Sequence, residues 1–429
     1  MRVAVIGGGW AGLAAALELV SAGVGVTVFE AARQLGGRAR SVSAQGRRLD
    51  NGQHILVGAY RETLRLMRVV GNDPDRLLRR MPLEIAFPGG QPAPFRLRLP
   101  RLPAPWHLAA GLLATRGASL AEKMRAVRFM RCLQATGYRL GDDGTVAALL
   151  DRHEQHGNLR RYLWEPLCLA ALNTAPEHAS AQIFVNTLRD SLGSDRAATD
   201  LLLPAADLDQ LFPAAAASFI AAHGGEMRLS TRVESIDAGL VVAGEPFDRV
   251  LLAVGPHQAA PLLAGHAETR PVARLLADYR WEPIGTVYCG YPPEVRLPLP
   301  MLGLAAQGDG RFGQWAFDRG TLCGTAGVIA FVLSGSGAWE AVDNRTLVAA
   351  LHGELAAALG TRLPPVAWHQ LIRERRATFA CRPNLPRPAA ASAQAGLWLA
   401  GDYVCADYPA TLEAAVRSGV AAARGILLN

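Results

Sequence analysis

The first forty residues carry three linked signals: Gly7-x-Gly9-x-x-Gly12, then Glu30, then Gly36-Gly37-Arg38. An apolar run, Val3 to Ile6, leads into the glycines. An alanine- and leucine-rich helical stretch, Ala11 to Val20, follows, and a β-branched run, Val24 to Phe29, delivers Glu30. The order is strand, tight turn, helix, strand, acid. In such a unit Gly7 allows the turn, Gly9 lets backbone approach a pyrophosphate, and Gly12 lets helix pack on strand. The pyrophosphate rests on the positive end of the helix, at Trp10 and Ala11, and the acid takes the ribose hydroxyls, with Ala31 beside it. The chain is expected to bind a dinucleotide.

At 429 residues, half of them hydrophobic and 19% charged, the chain suits two domains around an extensive core. The formal charge of +7 is nearly all arginine, and Lys123 is the one lysine. No zinc-finger, helix-turn-helix or RNA-binding signature accompanies it, so nucleic acid is not an expected partner. Six scattered cysteines without a C-x-x-C pair read as small buried hydrophobes in a reducing compartment, and no metal site is expected. The chain starts directly on its first strand, which predicts no leader, and no apolar run reaches the ~18 to 20 residues that span a bilayer. The expected location is cytoplasmic, at most peripheral on the inner face of the plasma membrane.

The pattern divides the chain into two interleaved units. Segments 1–62, 204–262 and 380–429 are expected to build the dinucleotide domain, and 63–203 with 263–379 a substrate domain. Glu226 to Leu229, Thr231 to Ile236 and Asp248 to Val254 read as strands, 204–225 as helix, and Gly396 to Gly401 as a buried strand ending in a glycine-acid turn. Ser119-x-x-Glu122 is a capping box. It opens a helix with an expected apolar stripe of Leu120, Met124, Val127 and Leu133, and with Arg125, Arg128 and Arg131 on another face.

The continuation Glu30-Ala-Ala-Arg33-Gln-Leu-Gly36-Gly37-Arg38 resembles flavoproteins of the amine oxidase and phytoene desaturase superfamily. Arg33 and Arg38 offer forked donors for diphosphate oxygens. The closing segment, Gly401-Asp402-Tyr403 and then Tyr408-Pro-Ala410-Thr411-Leu412-Glu413, resembles the last flavin motif of phytoene-desaturase-type enzymes. The resemblance implies FAD, an α/β fold with a Rossmann-like FAD-binding domain of amine-oxidase type, and an interleaved α+β substrate domain. It places cofactor contacts on Gly401, Asp402, Ala410, Thr411 and Leu412, on Val233 and Ala253, and on Gly52, Gln53 and His54 beside the isoalloxazine.

The central stretch, from Leu163-Trp-Glu165-Pro through Asn173 to Arg189-Asp190-Ser191, resembles the squalene-associated desaturase-like flavoproteins, the bacterial hydroxysqualene dehydroxylases. That implies replacement of a hydroxyl by hydrogen in hydroxysqualene, with FADH2 as reductant. An allylic alcohol leaves readily once its oxygen is protonated, so the site needs a long apolar slot and one acid. Glu165, His54 and Glu413 are the candidates. Glu165 sits in an apolar helical stretch where burial would keep it protonated; a plain pairing with Arg160 or Arg161 is the alternative. His54 either passes a proton or shapes the pocket. The rival activities are carotenoid desaturation, amine oxidation and non-redox flavin isomerisation. Thr411 stands where amine oxidases carry an aromatic residue, and Lys123 falls in a surface helix, which argues against amines. The expected partners are a lipophilic polyprenoid substrate, a membrane surface met by residues near 106–135, and upstream squalene-pathway enzymes.

Overall fold

The computed structural model describes residues 1–304 and 310–429. Five parallel strands form one sheet, in the spatial order Glu226–Arg228, Gly25–Phe29, Arg2–Ile6, Arg249–Leu252, Leu397–Leu399. Val3, Ala4, Val5 and Ile6 in the central strand are all buried, so both faces are covered, as parallel sheets require. On one face Val3, Val5, Val26, Val28 and Leu251 pack under the helices Trp10–Ser21, Pro213–Ala222 and Leu412–Leu428. The first and last of these cross closely: a β-carbon on Gly419 would lie 2.2 Å from the Ala11 carbonyl oxygen.

Three expectations fail in instructive ways. Residues 231–236 form no strand. They pass the end of the sheet beyond Phe29, where no neighbouring strand continues, and hold on through Thr231 N–H to the Glu30 carbonyl at 2.9 Å. Residues 204–225 are not one helix. Leu201–Pro204 is a strand, and Phe212, at φ −150°, separates the helices Leu208–Leu211 and Pro213–Ala222. The residue before a proline is pushed out of the helical region, so Pro213 starts a helix that it could not have continued. The third failure is the helix Leu120–Ala135. Its capping box is present, but Leu120 and Met124 are 67% and 52% exposed, while Ala126, Phe129 and Leu133 are buried. The expected stripe merged two apolar lines on opposite faces.

The second sheet is antiparallel, in the order Met301–Gly303, Trp315–Asp318, Val328–Ser334, Trp281–Gly290, Trp368–Phe379. Side chains alternate between its faces. Val287, Leu302, Ala316 and Phe331 pack beneath the helix Asn344–Leu359. The opposite face carries Thr286, Tyr288, Trp315, Phe317 and Val332. It turns toward the end of the strand Arg47–Asp50, where the Tyr288 hydroxyl donates to the Asp50 carbonyl at 2.9 Å. Among the described residues no helix is long and apolar enough to cross a membrane.

Candidate active site

The glycine turn is fixed by contact. Gly7 has φ +111°, and a β-carbon there would meet the Ala253 carbonyl oxygen at 2.6 Å; one on Gly12 would lie 2.0 Å from the Gly7 carbonyl oxygen. Gly9 differs. Its nearest neighbour would be Gly37 Cα at 3.8 Å, so the turn stays open at the point where a pyrophosphate approaches. The Gly36 N–H donates to the Gly8 carbonyl at 2.9 Å, which closes the second glycine loop over the first. Trp10 serves as a prop: its buried indole donates to the Ala39 carbonyl at 3.1 Å. Ala11 is buried against the last helix. The Glu30 carboxylate accepts from Gly8 N–H at 2.8 Å and Ala32 N–H at 2.7 Å. Those bonds hold it at the strand end where a ribose would bind. Ala31 and Arg33 are exposed there, and Val233 is half-buried on the adjoining segment.

Arg38 makes contacts that the sequence did not announce. Its guanidinium, expected on diphosphate, donates to Asp402 Oδ1 at 2.7 Å and to the Ala377 carbonyl at 2.9 Å. Burial works against its charge, but the Asp402 carboxylate, helped by Glu374 and Tyr403, leaves its pKa raised. The two flavin motifs at opposite ends of the chain are thus bonded to each other. Beside them Gly401 N–H donates to Ser418 Oγ at 2.8 Å. Thr411 caps the last helix, its hydroxyl accepting from Ala414 N–H at 3.2 Å, with Ala410 before it and Leu412 the first helical residue. The Tyr403 hydroxyl is buried without a partner among the described residues. An open glycine turn, the N-termini of the first and last helices and an orphaned hydroxyl beside Gly401 fit FAD.

Asp50 to His54 run alongside. Asp50 and Arg319 form an ion pair at 3.1 Å with side chains 2% and 4% exposed. Arg319 also donates to Gln53 Oε1 at 3.2 Å. Asn51 ties the Arg38 carbonyl (2.8 Å) to the Arg40 N–H (3.1 Å). His54 Nδ1 lies 3.0 Å from the Gly52 carbonyl oxygen. A carbonyl only accepts, so Nδ1 carries the proton and Nε2 the lone pair. Burial draws the His54 pKa below its ordinary value, against the Gly52 bond and the Asp50 charge, which raise it. At neutral pH the ring is uncharged.

The other two acids separate. Residues Arg160–Trp164 form a π-turn, which brings Arg160 Nε to 2.7 Å from Glu165 Oε1. Glu165 is 26% exposed and ion-paired, not the apolar burial expected for it. It lines a cleft of about 270 Å³ with Phe87, Tyr162, Leu304 and Trp315. Glu413 is fully buried. It accepts from the N–H groups of Glu62 (3.1 Å) and Thr63 (2.9 Å) and from the Thr63 hydroxyl (2.7 Å), and it pairs with Arg417 at 2.8 Å. It caps the helix Arg61–Val69 and has no capacity left for catalysis. Asn173 ends the helix Glu165–Leu172 in the left-handed region at φ 48°, as a cap should.

Asp50, Asn51, Thr286, Tyr288 and Arg319 escaped the sequence reading. Asp50 and Asn51 adjoin the Gly52-x-His54 motif and carried a local signal. Arg319 was one arginine among many, and Thr286 an ordinary strand threonine. No group of three or more His, Cys, Asp or Glu able to hold a metal occurs among the described residues.

The model of the family described as flavin containing amine oxidoreductase matches residues 10–427. The hydroxysqualene dehydroxylase of Rhodopseudomonas palustris is 30% identical over 99% of this chain and 98% of its own length. That of Sinorhizobium fredii is 29% identical over 98% and 97%. A probable zeta-carotene desaturase of Synechococcus elongatus is 26% identical, over only 55% of this chain and 51% of its own. Among solved structures, an oxidoreductase from Methanosarcina mazei superposes with a TM-score of 0.74 over all of both chains at 14% identity, which establishes the fold.

Proposed function

The chain belongs to the flavin-containing amine oxidoreductases and, within them, to the hydroxysqualene dehydroxylases; we propose from this that it converts hydroxysqualene to squalene and water. The observation that carries the reading is the extent of the similarity, which spans nearly the whole chain for the dehydroxylases and only about half of it for the zeta-carotene desaturase. When bound, reduced FAD supplies the hydride that replaces the hydroxyl. The chain's own residues hold the polyprenoid, exclude water and deliver one proton to the departing oxygen. His54, in the flavin-side turn, and Glu165, in the cleft, are the proposed proton carriers. Anaerobic incubation of the chemically reduced protein with hydroxysqualene should give squalene with flavin reoxidation. The reading fails if nothing forms there while the oxidised protein desaturates phytoene. Glu165→Gln should slow turnover at least about tenfold with full flavin content if Glu165 is the acid; near-normal rates would leave the task to His54.

The enzyme is further proposed to work at a membrane surface, through the helices Trp106–Ala114 and Leu120–Ala135. Trp106, Leu113, Leu120 and Met124 are 67%, 56%, 67% and 52% exposed, and Leu102 nearby is 41% exposed. Along the outer line of the second helix Leu120 and Met124 are followed, at i+4 and i+3 steps, by exposed Arg128 and Arg131. Residues 101–135 contain six basic residues and one acid, Glu122. Exposed aliphatic and indole groups beside cations suit an anionic lipid interface. A lipid surface is also where a substrate of this class, and the enzyme that produces it, would be met.

A further inference from the structure

The inner face of the antiparallel sheet holds a row of four residues that pair across adjacent strands: Ile372, Thr286, Val332 and Trp315. Strands lie about 4.8 Å apart, so the row extends roughly 14 Å. At one end Trp315 borders the cleft that also contains Glu165. Toward the other end, Thr286 Oγ1 and His54 Cε1 stand 3.8 and 3.5 Å from the point a Gly52 β-carbon would occupy, so the hydroxyl and the imidazole flank the same glycine. Three of the four side chains are apolar. The fourth, Thr286, is 1% exposed, and its hydroxyl has no hydrogen-bond partner among the described residues. Tyr288, one step along the same strand face, has its hydroxyl committed to Asp50.

A buried hydroxyl with no partner is unfavourable, and a valine of the same shape would remove the penalty. Its retention has a physical reason if a ligand supplies the missing partner. We infer that Thr286 is the specificity-determining residue that hydrogen-bonds the substrate's hydroxyl, while the polyprenoid chain lies along the apolar row. The inference rests on the dehydroxylation reading above and deepens it. An almost wholly hydrocarbon substrate with one hydroxyl meets an apolar face with one free hydroxyl. Pinned there, the leaving oxygen lies beside the His54 turn. It lies two strands, roughly 10 Å, from the Trp315 end of the row. Thr286 positions the oxygen and transfers no proton itself.

The test compares wild type, Thr286→Val and Thr286→Ser, each as the flavin-loaded full chain. Thr286→Val should lower kcat/KM for hydroxysqualene by roughly 10- to 100-fold, and Thr286→Ser should stay within about threefold of wild type. Inhibition by squalene, which has no hydroxyl, should be unchanged in both variants. The flavin absorption spectrum and flavin content should also match wild type. Wild-type kcat/KM in Thr286→Val would overturn the inference, as would equal weakening of squalene binding or a shifted flavin spectrum, which would assign the hydroxyl to packing or to the cofactor. Failure of the wild-type protein to convert hydroxysqualene would instead sink the functional reading and is seen separately.

Discussion

At the scale of single residues, the sequence shows which donors and acids exist but not what they meet. The glycine turn and its bond to Glu30 were legible because they depend on near neighbours: a carboxylate one strand away, a backbone turn of six residues. The bond from Arg38 to Asp402 was not legible, because that partner lies 364 residues on. Glu413 looked like a free acid until the helix it caps was placed beside it. His54 was left between two roles, and its environment now makes a directional statement. Burial lowers its pKa beneath the usual value near 6.5, so the imidazolium forms only below that region. If His54 donates the proton, kcat/KM should climb as pH falls from about 7.5 through 6.5 and level off only below the folded-state pKa. The same depression has a consequence for folding. The His54 contribution to stability is complete above about pH 6.5 and is lost as pH falls through the folded pKa. Circular dichroism at each pH therefore has to accompany the rates. His54→Gln should erase the acid-side rise. Superimposable profiles of the variant and wild type would remove His54 from the proton path.

At the scale of elements, local signals predicted starts and stops better than faces. Ser119 and Glu122 announced the helix they cap, and the helix begins there. Which side of it meets water was not decidable, since Leu120, Met124 and Val127 form one apolar line and Ala126, Phe129 and Leu133 another. Tertiary packing chose the second, and propensity carries no information about that choice. The line left outside is the one proposed to enter lipid. Removing two large apolar side chains from a membrane contact forfeits about 1.5–3 kcal/mol each if both were fully buried. The double variant Trp106→Ser/Leu120→Ser should accordingly lose at least about tenfold in partitioning to vesicles containing phosphatidylglycerol, measured by flotation. Wild-type binding should weaken with added salt, because the Arg128 and Arg131 contribution is screened. Turnover of detergent-dispersed substrate should be unaffected, since neither residue touches the cleft. Equal flotation of variant and wild type, or binding indifferent to both salt and lipid charge, would refute this docking face.

At the scale of the molecule, the site exists only because distant segments are stitched together. Arg38 with Asp402 joins the two chain ends, Glu413 fastens the last helix to Arg61–Val69, and Asp50 with Arg319 binds the turn at residues 50–54 to the antiparallel sheet just past the strand Trp315–Asp318. That one parallel sheet draws its strands from the start, the middle and the end of the chain was foreseeable from the order of motifs; these stitches were not, because pairing across hundreds of residues leaves no periodic trace. Breaking a buried ion pair by removing one partner typically costs about 3–5 kcal/mol, through the charge left unpaired. The two ends of the Asp50–Arg319 pair are not equivalent. Without Arg319, Asp50 would keep the Ser41 hydroxyl at 3.1 Å and Leu208 N–H at 3.0 Å. Without the Asp50 charge, Arg319 would keep Gln53 at 3.2 Å and an Nε that already lacks a partner among the described residues. Asp50→Asn should therefore lower the urea midpoint more than Arg319→Met. The double variant should be more stable than Asp50→Asn alone, because it leaves no stranded guanidinium. If the pair is also what orients the flavin-side turn, Asp50→Asn should release flavin at lower urea than it loses helical signal, whereas wild type should lose both together. Equal midpoints for the two single variants would mean that the surrounding donors, rather than the opposite charges, hold this junction.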